Sequence, residues 1–215
     1  MSVSGVGRRG ALKGLAAVAA LAGCSSAQPR LHVLVPMTPA AGDGGTGHAA
    51  GRSAGNRLIG VQPVTMPEYL DRPEIVAYAG PNTLDTNRDD QWAERLPTNV
   101  TRVVTENLSV LLPKDRVRTM PSRDSDRFDY EVSVDFDRFE RSVAGDSTVD
   151  AHWAIRDGAT GKVLARDETR LATRVPDRGY AALVAAMNEN LTTLSRDIAA
   201  AVAKMPHKGG GRARI

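Results

Sequence analysis

The sequence predicts a single α+β domain, in which a mainly antiparallel sheet of about five strands carries two principal helices packed on it. Three observations predict it. Tyr130, Val132, Val134 and Phe136 alternate with Glu131, Ser133, Asp135 and Asp137, and at the two-residue repeat of a strand this buries one face and wets the other. Val149, Ala151, Trp153 and Ile155 repeat the pattern, and Asp157, Gly158 and Gly161 then supply turn chemistry before a third run, Lys162 to Leu171, so the three form an antiparallel meander. Two other segments place apolar residues at spacings of three and four, as amphipathic helices do.

From the N-terminus, Arg8, Arg9 and Lys13 accompany an Ala-rich apolar stretch, Leu12 to Leu21, shorter than the roughly 20 residues of a permanent span. Residues 1–23 therefore read as a cleaved signal peptide, 24–30 as a tether, 31–203 as the domain and 204–215 as a basic, disordered tail. Leu31 to Val35 is the first strand-like run. Residues 40–56, Gly-rich and without apolar periodicity, read as a flexible loop. Short strands are expected at Leu58–Val64 and near Ile75–Tyr78, where Pro63, Pro67 and Pro73 restrict them to edges, ends or bulges. The first helix begins near Pro97, at a position proline favours, and stops before Pro113; its stripe is Val100, Val103, Val104, Leu108 and Leu111. The second begins after Pro176 with Asp177 as its cap and aligns Tyr180, Val184, Met187, Leu191, Leu194 and Ile198. That stripe is core by default, although a seam to another subunit would use the same spacing.

Residues 1–23 hold three of the 28 basic side chains and none of the 25 acidic ones, leaving 25 against 25 from Cys24 onward. Lys204, Lys208, Arg212 and Arg214 lie in the acid-free tail, so residues 24–203 carry 21 basic against 25 acidic side chains. The basic balance belongs to the two ends, which argues against nucleic acid as a partner of the folded part.

Catalytic chemistry is not suggested. His32, His48, His152 and His207 fall in a strand, the loop, a strand and the tail, with no H-E-x-x-H pair, G-x-S-x-G elbow, phosphate loop or dinucleotide fingerprint among the residues. No catalytic residue, cofactor or metal is expected. Asp124, Asp126, Asp129 and Asp135 are plentiful acids, but alternation puts Asp129 and Asp135 on a solvated face.

The stretch Pro63 to Val76 is different, because three prolines fix three φ angles and bias the residues before them toward extended geometry. It reads as a preorganised arm. On one reading Pro67, Tyr69, Leu70, Asp71, Arg72 and Pro73, with Trp92, form a partner-binding surface, since a pre-ordered segment loses less entropy on binding. On the other, Tyr69, Leu70, Ile75 and Trp92 close the sheet edge while Asp71 and Arg72 satisfy nearby backbone.

Leu21-Ala22-Gly23-Cys24 resembles the lipobox of bacterial lipoproteins, which implies acyl chains on Cys24 and cleavage before it. One acyl chain holds a protein only marginally at about 0.8 kcal/mol per buried methylene, whereas three anchor it durably. Cys24 is the sole cysteine, so its lipidation would leave no thiol for a disulfide, metal or nucleophile. Ser25 and Ser26 in place of an aspartate imply sorting to the outer membrane, facing the periplasm. Arg8 to Lys13 resembles a twin-arginine export signal with Ala11 in place of phenylalanine, and a general secretory signal fits equally.

Further along, P-E-Y-L-D-R-P-E-I-V at Pro67–Val76, W-A-E-R-L at Trp92–Leu96, N-L-S-V-L-L-P at Asn107–Pro113, Y-A-A-L-V-A-A-M at Tyr180–Met187 and L-S-R-D-I-A at Leu194–Ala199 resemble the PqiC-like auxiliary lipoproteins of ABC-type and MCE-type transport systems. The resemblance implies a compact α/β domain without enzymatic activity. It implies a periplasmic, outer-membrane-anchored subunit that binds an MCE-domain protein on a lipid path between membranes, and assembly into a homo-oligomeric ring. The long loop at 40–56 and the basic tail depart from the family pattern and bear on partner geometry. A lipoprotein that tethers or assembles envelope machinery, with no lipid passing near it, would show the same anchor and a similar fold. An envelope hydrolase is the other rival.

Overall fold

The structure, a computed structural model, describes residues 28–38, 57–121 and 127–206. Cys24, the stretch 40–56 and the tail from His207 onward lie outside the described residues. In chain order the elements are β1 (Arg30–His32), β2 (Leu58–Val61), β3 (Glu74–Gly80), β4 (Thr83–Trp92), α1 (Leu96–Leu111), β5 (Arg116–Thr119), β6 (Tyr130–Arg141), β7 (Ser147–Asp157), β8 (Val163–Thr173) and α2 (Tyr180–Ala203), with a 3-10 turn at Glu68–Leu70 before β3.

The meander is present: β6 pairs antiparallel with β7, and β7 with β8. Tyr130, Val132, Val134 and Phe136 are buried, as are Val149, Ala151, Trp153 and Ile155. Phe136 pairs with Ala151 and Arg138 with Asp150, so Asp137 is the extra residue of a bulge. Three positions apart, Phe136 and Phe139 would face opposite sides of a regular strand; the bulge turns both inward, where their rings meet edge to face at 5.4 Å.

The other edge of β6 departs from expectation. β2 runs parallel to its first half, β3 touches its far end through Ala77 and Arg141, and β5, β4 and β1 extend the sheet from these, giving eight strands in a mixed sheet. This corrects the expected five or so antiparallel strands. β4 and β5 carry mostly polar, exposed side chains, so they have no apolar alternation to announce them.

Both helical stripes are core. Val100, Val103, Val104 and Leu108 of α1 and Val184, Met187, Leu191, Leu194 and Ile198 of α2 are buried, while Leu111 and Tyr180 are half-buried against the cluster. α2 lies on β7 and β8 and packs on α1. Its cap is Gly179 and not Asp177, which corrects the expected start: the Asp177 carboxylate accepts the Gly179 N–H at 2.6 Å, closing a turn ahead of the helix. At the other end Arg57, paired with Asp115, donates to the carbonyls of Val202 (2.9 Å) and Met205 (3.0 Å), tying the end of α2 to the residue before β2. Tyr130 donates to the Pro206 carbonyl at 2.6 Å, so residues 204–206 are bonded into the domain.

Candidate functional site

The proline-bearing arm is built onto β6. Beyond β2 the backbone keeps pairing, as Gln62 and Thr65 donate to the carbonyls of Val132 (2.8 Å) and Val134 (3.1 Å), and Val64 N–H is taken by Thr101 Oγ1 of α1 at 3.0 Å. After Pro67 the 3-10 turn drives Leu70 into the core at 1% exposure. Tyr69 donates its hydroxyl to the buried Glu140 carboxylate at 3.1 Å, and burial, then that carboxylate, push its phenol well above the ordinary value. Glu140 is satisfied further by Arg138 Nε and the Phe139 N–H, both at 2.8 Å. The Pro73 carbonyl accepts the Trp92 N–H at 2.7 Å.

Leu70, Ile75 and Trp92 are buried and close the sheet, with Tyr69 half-buried beside them. Asp71 and Arg72 do not satisfy backbone with their side chains: Asp71 pairs with Arg95, and Arg72 with Glu74 at 2.9 Å, holding the Glu74 carboxyl below its usual range. Asp71, Arg72, Pro73, Trp92, Glu94 and Arg95 line a surface depression of about 280 Å³. Its rim alternates two acids with two guanidiniums over an indole and a proline ring. Such a rim suits a polar peptide or side-chain knob, with both guanidiniums held by their own carboxylates, Arg95 by Asp71 and Arg72 by Glu74. Pro67 lies outside the depression and serves to aim the turn.

Beside the depression runs the N-terminal segment, whose grip the sequence did not reveal. β1 pairs parallel with Asp90–Trp92 of β4. Asp90, 1% exposed, takes Arg30 through two bonds (2.9 and 2.6 Å) and His32 Nε2 at 2.7 Å. The Arg30 guanidinium, helped by His32, holds the Asp90 carboxyl below the usual range against the burial that would raise it. Past β1, asparagines from both helices hold the backbone. Asn99 accepts the Leu34 N–H (2.7 Å) and donates to its carbonyl (3.0 Å), Asn188 accepts from Val35 (3.0 Å), and Asn107 accepts from Met37 (2.7 Å). Leu34 is fully buried beneath.

Of the expected solvated acids, Asp135 is exposed and bonded to Thr65 Oγ1, while Asp129 is half-buried and accepts the Leu58 N–H at 2.7 Å. Asp137, Asp150 and His152 gather ligand atoms within 4.8 Å of one another on the outer sheet face. The alternation already set Asp137 on the solvated face, where it is exposed. Arg170 lies 3.3 Å from Asp150, a charge that disfavours a cation at that spot.

The architecture is shared with solved structures. An uncharacterized protein aligns with a TM-score of 0.66 at 18% identity, covering 81% of this chain and 99% of its own. A Xanthomonas campestris protein of family DUF330 aligns with a TM-score of 0.61 at 19% identity, covering 81% and 92%. These define the fold class, an α+β domain of one mixed sheet and two principal helices. The chain belongs to the ABC-type transport auxiliary lipoprotein component family, which matches residues 43–199. No curated protein matches it. Among the described residues no helix is long and apolar enough to cross a membrane.

Proposed function

We propose that this chain is an outer-membrane-anchored, periplasmic lipoprotein subunit of an ABC/MCE-type lipid transport system, held by acyl chains on Cys24 and binding an MCE-domain partner. It acts by binding and not by catalysis. The observation that carries the reading is the family match across residues 43–199, behind an N-terminal run that ends in a lipobox-like cysteine. The docking surface is the depression around Asp71, Arg72, Pro73 and Trp92, with Pro67, Tyr69 and Leu70 fixing its shape from behind. Its ion pairs and prolines hold it in one geometry before contact, which lowers the ordering cost of association.

The test is a pull-down of the full-length lipoprotein from detergent-solubilised envelopes, with mass spectrometry of co-purifying proteins and lipids. Recovery of an MCE-domain protein with phospholipid is the expected result. Capture of assembly proteins without lipid would favour the tethering role, and a partnerless protein would refute the docking.

A further inference from the structure

The segment Leu31-His32-Val33-Leu34-Val35 is inverted relative to an ordinary edge strand. Its inward side chains are Leu34 and the polar His32, satisfied by Asp90. Its outward ones are all apolar: Leu31 is 65% exposed, Val33 41% and Val35 50%. Alternate residues of an extended chain share a face, so these three form one strip about 13 Å long. The strip cannot turn inward, because Asp90 grips Arg30 and His32 while Asn99, Asn188 and Asn107 hold the backbone at Leu34, Val35 and Met37.

We propose that this strip rests on the lipid bilayer that holds the protein, as a second, non-covalent membrane contact that sets the orientation of the domain. The proposal rests on the reading of Cys24 as the acylated residue. Leu31 stands seven residues after Cys24, a reach of at most about 25 Å for extended chain, so the strip is confined to the neighbourhood of the membrane. Its size also selects the occupant. Three side chains fall far short of the roughly 800 Å² per partner of a stable protein interface. A lipid contact needs no such area, since the covalent anchor already supplies the local concentration.

The experiment uses full-length, acylated protein in phosphatidylethanolamine/phosphatidylglycerol vesicles. Val33→Cys, and separately Leu31→Cys, introduce one free thiol for a nitroxide label, and Leu164→Cys on β8 is the control, exposed at 39%. Expected is a several-fold higher ratio of oxygen to nickel-chelate collisions at positions 31 and 33 than at 164. Equal ratios on protein that floats with the vesicles and carries the acyl mass would overturn the inference alone. Dipolar broadening between Val33→Cys labels on neighbouring copies would overturn it in favour of a second subunit. Protein that neither floats nor carries acyl mass on Cys24 would refute the anchor, and the inference with it.

Discussion

Replacing Asn99 with alanine isolates the grip on the N-terminal segment. The side chain makes two bonds to one residue, accepting the Leu34 N–H at 2.7 Å and donating to its carbonyl at 3.0 Å, in a place where Leu34 and Asn99 are at 0% and 1% exposure. Each backbone group left unpaired in a buried site costs about 1–3 kcal/mol. Two effects reduce the total. Arg102 stands 3.4 Å from the Leu34 carbonyl and can close on it, and alanine favours the α1 interior by up to about 0.7 kcal/mol. The net loss is roughly 2–3 kcal/mol, concentrated in the segment and not in the sheet. Amide exchange of a peptide covering residues 30–38 should therefore accelerate by roughly 30- to 140-fold. The meander should be unchanged. Asn188→Ala is the comparison: its bond to Val35 is exposed, water can replace it, and the acceleration should stay below about fivefold. Exchange in Asn99→Ala within about threefold of the parent would refute the clamp.

Asp115→Ala leaves Arg57 buried at 6% exposure without its carboxylate; a loss of about 3–5 kcal/mol is expected in denaturant titration, and one below about 1 kcal/mol would contradict the pairing. Gly158→Ala would put a Cβ 2.0 Å from the backbone oxygen of Phe128, whereas at Gly60 the nearest atom is the Met120 sulfur at 2.5 Å. Gly158→Ala should lower the denaturation midpoint more, because a flexible thioether moves aside and a backbone carbonyl does not; equal losses would defeat that argument. Asp90 binds its proton more weakly folded than unfolded, so its contribution is present above the ordinary aspartate value of 3.8 and is lost as pH falls through the lower folded value. Asp90→Asn should abolish that acid step in exchange of residues 30–38, and an identical step in the variant would assign the titration elsewhere. Arg72→Ala removes an exposed pair worth at most about 1 kcal/mol, so melting should barely move while capture of the proposed MCE-domain partner falls; a lost fold would return Arg72 to a structural role.

The meander and both helices were legible because their burial is periodic. β7 buries Val149, Ala151, Trp153 and Ile155 without a lapse, and each helix repeats its stripe over several turns. β4 could not be read, since in Thr83–Trp92 only Asp90 and Trp92 are buried, and one of those two is a carboxylate. The parallel pairings of β2 with β5 and β6 were hidden for another reason. Partners in a parallel pair lie far apart in sequence and leave no turn between them to read. Asp177 is a sound cap by composition, but its carboxylate was already engaged by the Gly179 N–H.

The grip on the N-terminal segment left one readable trace. Asn107 sits in register with Val100, Val103 and Val104 on the buried stripe of α1, and Asn190 stands beside Met187 and Leu191 on α2, both at 1% exposure or less. A polar side chain on an apolar face is expensive unless something bonds it, so each predicts a polar partner. Asn190 finds Ser147 on β7, and Asn107 finds Ser195 of α2 and the backbone of Met37. The residue types demand a partner without saying which, because Met37 lies 70 positions from Asn107. With Asn99 and Asn107 on α1 and Asn188 on α2, the segment nearest Cys24 is bonded to both helices at once. Tension on an anchor at Cys24 would thus reach the Asp90 clamp on β4 first, through Arg30 and His32, and then the buried bonds of Leu34 to Asn99 of α1.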